Sequence, residues 1–173
     1  QPTVPTAPPP PWPSDVATHP DAEFEIIAGM VGFFCVFEEL SGHIFRAAID
    51  AAGAPRARWA LSEIFRDEAF HGAFGFEAAR HFLPRWSEAK RARLAERVLL
   101  DIERFAARLP AVDAPVATAR IAGVPGLGGA LIDAELERLG LLSGDALRAT
   151  YQHALRSSVL PRLAELGVDV RER

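Results

Sequence analysis

The order of apolar and polar residues predicts a chain made of helices. Between about Asp21 and Ala52, apolar side chains recur at spacings of three and four, which is the period of an α-helix. A second helix is predicted from about Arg56 to Phe82. The turn between them contains Gly53 and Pro55, residues that commonly end one helix and begin the next. We therefore expect a long antiparallel helix hairpin.

Further helices are predicted after the hairpin. Ser87 is a suitable N-cap for an amphipathic helix that ends near Leu109, and a shorter helix is expected from about Gly128 to Leu139. Ser143 then begins a last helix that ends near Leu166 and that Pro161 should kink. No alternation typical of strands persists, so the predicted class is all-α. Trp59 and Trp86 are expected to anchor the core.

Proline changes the prediction at the N terminus. Residues 1–20 contain eight prolines, four of them consecutive at Pro8–Pro11, and such a sequence cannot build the interior of a helix or sheet. We expect a linker or surface arm over residues 1–20 and a helical domain over residues 21–173. Residues 110–126 are also rich in proline and glycine, and they predict a long loop.

Charge and cysteine content exclude several classes of protein. Nineteen Lys and Arg residues stand against 23 Asp and Glu residues, and no basic block is present, so nucleic acid is not an expected partner. The single cysteine, Cys35, excludes a disulfide framework and favours a reducing, cytoplasmic location. The longest apolar run, Ile26 to Phe37, has twelve residues and is too short to span a bilayer.

Carboxylates and a histidine interrupt the apolar parts of the hairpin. Glu38 lies fifteen residues before Gly53 and Glu68 lies fifteen residues after it, so an antiparallel hairpin places them at about the same height. His71 follows about one turn later on the same face as Glu68. Burial of a carboxylate costs several kcal/mol unless it is paired or coordinates metal. The pattern therefore predicts a metal site formed by Glu38, Glu68 and His71.

Other interpretations stay open. A buried Glu–His or Glu–Arg pair, with Arg46 or Arg66 as the cation, would also satisfy Glu68. Glu39 could replace Glu38 as a ligand, although it points about a third of a turn away. Asp67 could accept a hydrogen bond from an imidazole N–H or could be an exposed acid. The weaker candidates for ligands, or for side chains that support ligands, are Glu39, Asp67, Asp101 and His153.

The set of Glu38 and Asp67-Glu68-x-x-His71 resembles one half of the ligand set of ferritin-like di-iron carboxylate proteins. In that family, each half of a four-helix bundle gives one Glu from one helix and a Glu-x-x-His from the next. The motif Asp67-Glu68-x-x-His71 is similar to that of p-aminobenzoate N-oxygenase-type oxygenases. Over about residues 24–83, the resemblance implies a ferritin-like bundle with additional C-terminal helices. It also implies a di-iron centre, with manganese as the alternative metal, that acts as an oxidoreductase or oxygenase on O2 and a small-molecule substrate.

The resemblance implies roles for these residues but is incomplete. Glu38 would be a terminal or bridging ligand, Glu68 a bridge and His71 a terminal ligand. A second Glu and a second Glu-x-x-His are missing from the sequence, and Ile64 stands where N-oxygenases often have a histidine. An upstream domain, a second copy in a homodimer, or Asp101 and His153 could complete the set. A metal-free or metal-degenerate scaffold domain and a ferroxidase are the alternative functions.

Overall fold

The computed structural model describes residues 20–109 and 135–170. These residues contain five helical segments and no strand, which confirms the all-α class. Helix α1 covers residues 22–51 without a break, in three parts: α-helical Ala22–Met30, π-helical Val31–Glu38 and α-helical Glu39–Ala51. Helix α2 is Pro55–Phe82, and a 3-10 turn, Leu83–Arg85, continues it.

The remaining helices follow in the predicted order. Helix α3 is Glu88–Ala106, residues 135–138 form a short helical segment, and helix α4 covers residues 144–165. Helix α4 is also built of three parts: α-helical Gly144–Ala154, π-helical Leu155–Val159 and α-helical Leu160–Glu165. Residues 1–19 of the predicted arm, the predicted loop at 110–126 and most of the predicted helix at 128–139 lie outside the described residues.

Three predicted helix starts are confirmed by their capping hydrogen bonds. The side chain of Asp21 accepts a hydrogen bond from the backbone N–H three residues later at 3.4 Å, as do Ser87 at 3.2 Å and Ser143 at 3.3 Å. Gly140 and Gly167 have φ angles of +90° and +74°, the left-handed conformation that ends helices at little cost for glycine. Short-range chemistry therefore fixes where these helices begin and end.

The interruption in α4 has a cause that was visible in the sequence. Pro161 has no backbone N–H, so a regular α-helical hydrogen bond cannot form to the carbonyl of Ser157. The helix is π-helical over Leu155–Val159, just before the proline. What the structure shows at this proline is a local widening of the helix, and the predicted kink stays a prediction.

Helices α1 and α2 form the predicted hairpin, and they approach each other closely at Gly75. A Cβ atom added to Gly75 would lie 2.4 Å from Cβ of Phe34 and 3.1 Å from the backbone nitrogen of Cys35. Only glycine fits such an approach, so this position fixes the distance between the two helices. The close contact is next to the predicted ligands, which makes the site a part of the helix interface.

The core lies where α3 and α4 pack against the hairpin. Leu94, Val98 and Ile102 form the buried stripe of α3. Trp86 is buried as predicted, and its ring stacks on that of Phe24 with 5.6 Å between centroids. The core prediction for Trp59 is wrong: this side chain is 68 % exposed, because no described helix covers its face of α2. No helix of the described residues is both long and apolar enough to cross a membrane.

Candidate metal centre

Glu38, Glu68 and His71 converge as the hairpin register predicts. Nδ1 of His71 lies 3.9 Å from Oε2 of Glu38 on α1 and 3.9 Å from Oε2 of Glu68 on α2. One ligand atom from each residue lies within 4.8 Å of the other two. Among the described residues, this is the one group of three or more His, Cys, Asp or Glu side chains that meets so closely. The equal height of the two carboxylates is confirmed.

The local backbone of Glu38 is unusual. Glu38 is the last residue of the π-helical segment Val31–Glu38, and Glu39 begins the following α-helical part. Segments of π-helix are rare and occur frequently at functional sites, because the extra residue per turn changes the direction in which side chains point. The sequence contained no signal from which we predicted this segment.

Two ligand atoms of the group lack hydrogen-bond partners. Oε2 of Glu68 and Nδ1 of His71 are buried, and neither makes a hydrogen bond within the described part of the chain. A buried polar atom without a partner costs roughly 1–3 kcal/mol, so such atoms need an explanation. A structural Glu–His pair would have joined these atoms at hydrogen-bond distance, whereas they stand 3.9 Å apart.

The carboxyl group of Glu38 is strongly perturbed. Burial, and after it a hydrogen bond and the negative charge of Glu68, raise the pKa of Glu38 to about 7. Two carboxyl groups at such close range repel each other when both are ionised. A bound cation would remove this repulsion and favour both charged forms.

The two distances from His71 are compatible with a metal ion. Metal–ligand bonds to carboxylate oxygen and imidazole nitrogen are roughly 2.0–2.2 Å, so two atoms that bind one ion lie at most about 4.4 Å apart. The two distances of 3.9 Å from His71 satisfy this limit. These three side chains could therefore hold a metal ion, and three ligands leave further coordination positions open.

Glu39 points towards α4 and has its own partners. The hydroxyl of Ser158 donates a hydrogen bond to it at 2.5 Å, and the guanidinium of Arg162 lies 2.8 Å away. Nε2 of His43 is 3.8 Å from the same carboxylate. The contacts with Ser158 and Arg162 tie α1 to α4. Sequence reasoning missed Arg162 because it lies more than one hundred residues after Glu39, and no local pattern connects the two.

The other weaker candidates are not brought into the group. Asp67 is exposed on α2, and His153 is exposed on α4. Asp101 is partly buried beside Gly32, where it contacts Arg104 at 3.3 Å and Arg97 at 3.6 Å. The positions of these side chains give no support for a role at a metal. That role stays a prediction.

The arginines considered as partners of Glu68 are engaged elsewhere. Arg66 pairs with Glu63 on the same helix at 2.7 Å, and the guanidinium carbon of Arg46 lies 4.7 Å from the ring centre of Phe65. The interpretation of Glu68 as half of a buried Glu–Arg pair therefore finds no support in the described contacts.

A cleft and a group of aromatic rings adjoin the site. The cleft has a volume of about 320 Å³, and Glu38 and Glu68 line it together with Phe65, His43 and Arg162. The aromatic rings of Phe34 and Phe70 both lie with their centroids 6.2 Å from the imidazole of His71. Small molecules could reach the carboxylates from the cleft, while aromatic rings border the imidazole.

Comparisons with protein-family models, curated proteins and solved structures give no match for this chain. What the fold and the site define is therefore a class: an all-helical protein with a metal-capable group of two glutamates and a histidine.

Proposed function

We propose that Glu38, Glu68 and His71 bind a transition metal ion, in the first place iron, and that the protein is a non-haem iron oxidoreductase that acts on O2. One observation carries the proposal. Oε2 of Glu68 and Nδ1 of His71 are buried ligand atoms without hydrogen-bond partners, and both lie close to the carboxylate of Glu38. Carboxylate and imidazole ligands suit Fe(II), with Mn(II) as the alternative.

The arrangement also supports the ferritin-like resemblance. One Glu comes from α1 and a Glu-x-x-His comes from α2, which is the contribution of half a di-iron bundle. Bound iron would supply one-electron redox chemistry towards dioxygen. Glu38 and Glu68 would hold the iron through carboxylate oxygens, and His71 would hold it through an imidazole nitrogen.

The residues around the group would control access to it. Phe34 packs beside the imidazole, but the side chain of His71 is 43 % exposed, so the group would exclude water on this side only once the side is covered. The cleft beside Glu38 and Glu68 offers space for O2 and a small-molecule substrate. Arg162, held by Glu39, lies at its wall and would place a positive charge near an incoming ligand.

Metal binding is tested by anaerobic titration of the protein with Fe(II), followed by equilibrium dialysis and metal analysis. We expect binding by wild type and loss of that binding in Glu68→Ala. Glu77→Ala is the matched control, because Glu77 lies on the same helix but is exposed. Wild type that retains no more Fe(II), Mn(II) or Zn(II) than the Glu68→Ala variant would overturn the proposal.

The reaction with dioxygen is tested separately. Iron-containing protein is mixed with O2, and oxygen uptake and a near-ultraviolet iron–oxygen absorption band are recorded. Uptake in proportion to bound iron supports an oxidoreductase. Stable Fe(II) in air would leave a metal-binding protein and remove the redox part of the proposal.

A metal-free helical interaction domain is the second candidate. The contact between the carboxyl groups of Glu38 and Glu68 favours it. Burial and this contact raise the pKa of Glu38 to about 7, and a protonated Glu38 can share a hydrogen bond with Glu68 without any metal. This candidate predicts that metal has no effect on the thermal stability of the protein. It is excluded if Mn(II) raises the melting temperature of wild type and leaves that of Glu68→Ala unchanged.

A further inference from the structure

The surface around His71 is aromatic and exposed. Phe70 is 70 % exposed, and Phe33 and Phe74 are each about half exposed. The rings of Phe33 and Phe74 are connected through Phe34, whose centroid lies 5.0 Å from that of Phe33 and 5.4 Å from that of Phe74, and Phe70 joins them through the imidazole of His71. We call these four residues the aromatic patch. Contiguous exposed apolar surface of this kind marks interaction sites in soluble proteins.

The aromatic patch is continuous with the metal-capable group. His71 contacts the rings of Phe34 and Phe70, and its own side chain is 43 % exposed, whereas Glu38 and Glu68 are largely buried. The group therefore opens to the surface through the imidazole, at the edge of the patch. A partner that covered the patch would also cover the open side of the group.

Helix α2 extends the exposed apolar surface beyond the patch. Ile64 lies seven residues before His71, which places it on the same face of the helix, and it is 42 % exposed. A stable interface buries roughly 800 Å² on each partner. In a two-fold dimer the same patch lies on both partners, so each copy buries the same set of side chains.

The ligand count indicates which partner fits. One chain supplies two carboxylates and one imidazole, with one carboxylate from α1 and a Glu-x-x-His from α2. A two-fold axis across the aromatic patch doubles this set to four carboxylates and two imidazoles. That set is complete for a pair of metal ions held between four helices. A second copy of the chain needs no assumption about further ligands, because each copy already carries this set of three.

We propose that a second copy of this chain covers the aromatic patch about a two-fold axis, so that Glu38, Glu68 and His71 of both copies form one two-metal centre. This inference rests on the proposed metal site. It goes beyond that site because it assigns a function to the exposed phenylalanines and predicts that metal binding and dimer formation depend on each other.

The test combines molar mass with metal spectroscopy on the full chain. Molar mass is measured by sedimentation equilibrium with and without Mn(II), and electron paramagnetic resonance reports whether bound Mn(II) ions are isolated or magnetically coupled. We expect a dimer with two coupled ions. Phe74→Glu and Phe70→Glu should give monomers in which the coupled signal is lost and Mn(II) affinity falls at least about tenfold.

The control is Trp59→Glu. Trp59 is an equally exposed aromatic residue of α2, but it lies twelve residues before His71 and outside the aromatic patch. This variant should stay dimeric with unchanged Mn(II) binding, and circular dichroism should show that all three variants are folded.

Three results would overturn the inference, and they separate it from the proposed function. A monomer that binds one isolated Mn(II) ion, unaffected by Phe74→Glu, refutes the dimeric centre and leaves the metal site intact. A dimer that dissociates in Phe74→Glu but never binds metal refutes both the metal site and the shared centre. A dimer with isolated ions that survives Phe70→Glu and Phe74→Glu shows that another face forms the interface.

Discussion

Nδ1 of His71 on α2 lies 3.9 Å from Oε2 of Glu38 on α1, and no hydrogen bond within the described residues uses that nitrogen. The two residues are 33 positions apart in sequence and meet only because the hairpin is closed. A metal ion bound between them would cross-link α1 and α2. Binding of the metal and stability of the hairpin should therefore be linked.

The metal-free site should destabilise the protein at neutral and alkaline pH. The pKa of Glu38 is raised from 4.5 in the unfolded chain to about 7 in the folded protein, so the folded state binds more protons between these values. Stability therefore falls as pH rises from about 4.5 to about 7 and changes little above that range. Glu38→Gln removes the titrating group but can still donate a hydrogen bond to Glu68.

We expect Glu38→Gln to melt at nearly the same temperature as wild type at pH 4 and several degrees higher at pH 8. The difference at pH 8 corresponds to about 1–2 kcal/mol, because partial exposure to solvent screens part of the effect. The measurement is calorimetry in the presence of a chelator. Glu77→Gln, at an exposed position, should show no such trend, and equal shifts at both pH values would contradict the prediction.

The adjacent acids Glu38 and Glu39 should have separable functions. Loss of a residue that hydrogen-bonds to a metal ligand typically lowers metal affinity by roughly 10–100-fold. Glu38→Gln removes a ligand itself, so it should lower the affinity at least as much. Glu39→Gln should leave the affinity within about threefold of wild type. It should instead lower the free energy of unfolding by about 1–3 kcal/mol, because it weakens the contacts with Ser158 and Arg162.

Mn(II) titration and urea unfolding of the two variants check this separation. If Glu39→Gln lost the metal and Glu38→Gln kept it, the ligand on α1 would be Glu39. If both variants lost stability alone, neither residue would be a ligand.

The sequence predicted the features that depend on local chemistry or simple counting. Helix starts at Asp21, Ser87 and Ser143 follow from capping side chains, which act within three residues. The meeting of Glu38 with Glu68 follows from their equal distance from Gly53. Each of these features needs only the geometry of a helix or of a hairpin, so a single sequence is sufficient.

Features that depend on packing between distant segments were not predictable. The partners of Glu39 come from α4, and the exposure of Trp59 depends on which face of α2 the other helices leave uncovered. The π-helical segment Val31–Glu38 arises within an apolar run that has no distinctive pattern. The contacts of Glu39 join residues far apart in sequence, and periodicity carries no information about them.

Gly75 should be required for the close approach of α1 and α2. An alanine at this position would place its Cβ 2.4 Å from Cβ of Phe34, so the helices must separate, and we expect a loss of stability of about 1–3 kcal/mol or more. Gly29→Ala is the matched control, because no atom lies within 4 Å of the added methyl group. Helix propensity should make that variant more stable by up to about 1 kcal/mol.

Denaturant unfolding and Mn(II) titration are measured for both glycine variants. Gly75→Ala should also bind Mn(II) more weakly, since a wider hairpin separates Glu38 from His71. Similar stability for the two variants would show that the contact between the helices is not tight at Gly75.

Cys35 should report on the opening of the hairpin and on metal binding. Its thiol is fully buried, and burial raises its pKa to about 12, so the reactive thiolate is almost absent in the folded protein. We expect labelling by a thiol reagent at pH 8 to be slower than in the unfolded chain by roughly a thousandfold or more.

If reaction requires unfolding, Mn(II) at one hundred times its dissociation constant should slow labelling by a further factor of about 100. That further protection should disappear in Glu68→Ala and persist in Glu77→Ala, and rapid labelling of folded wild type would show that the hairpin opens without unfolding.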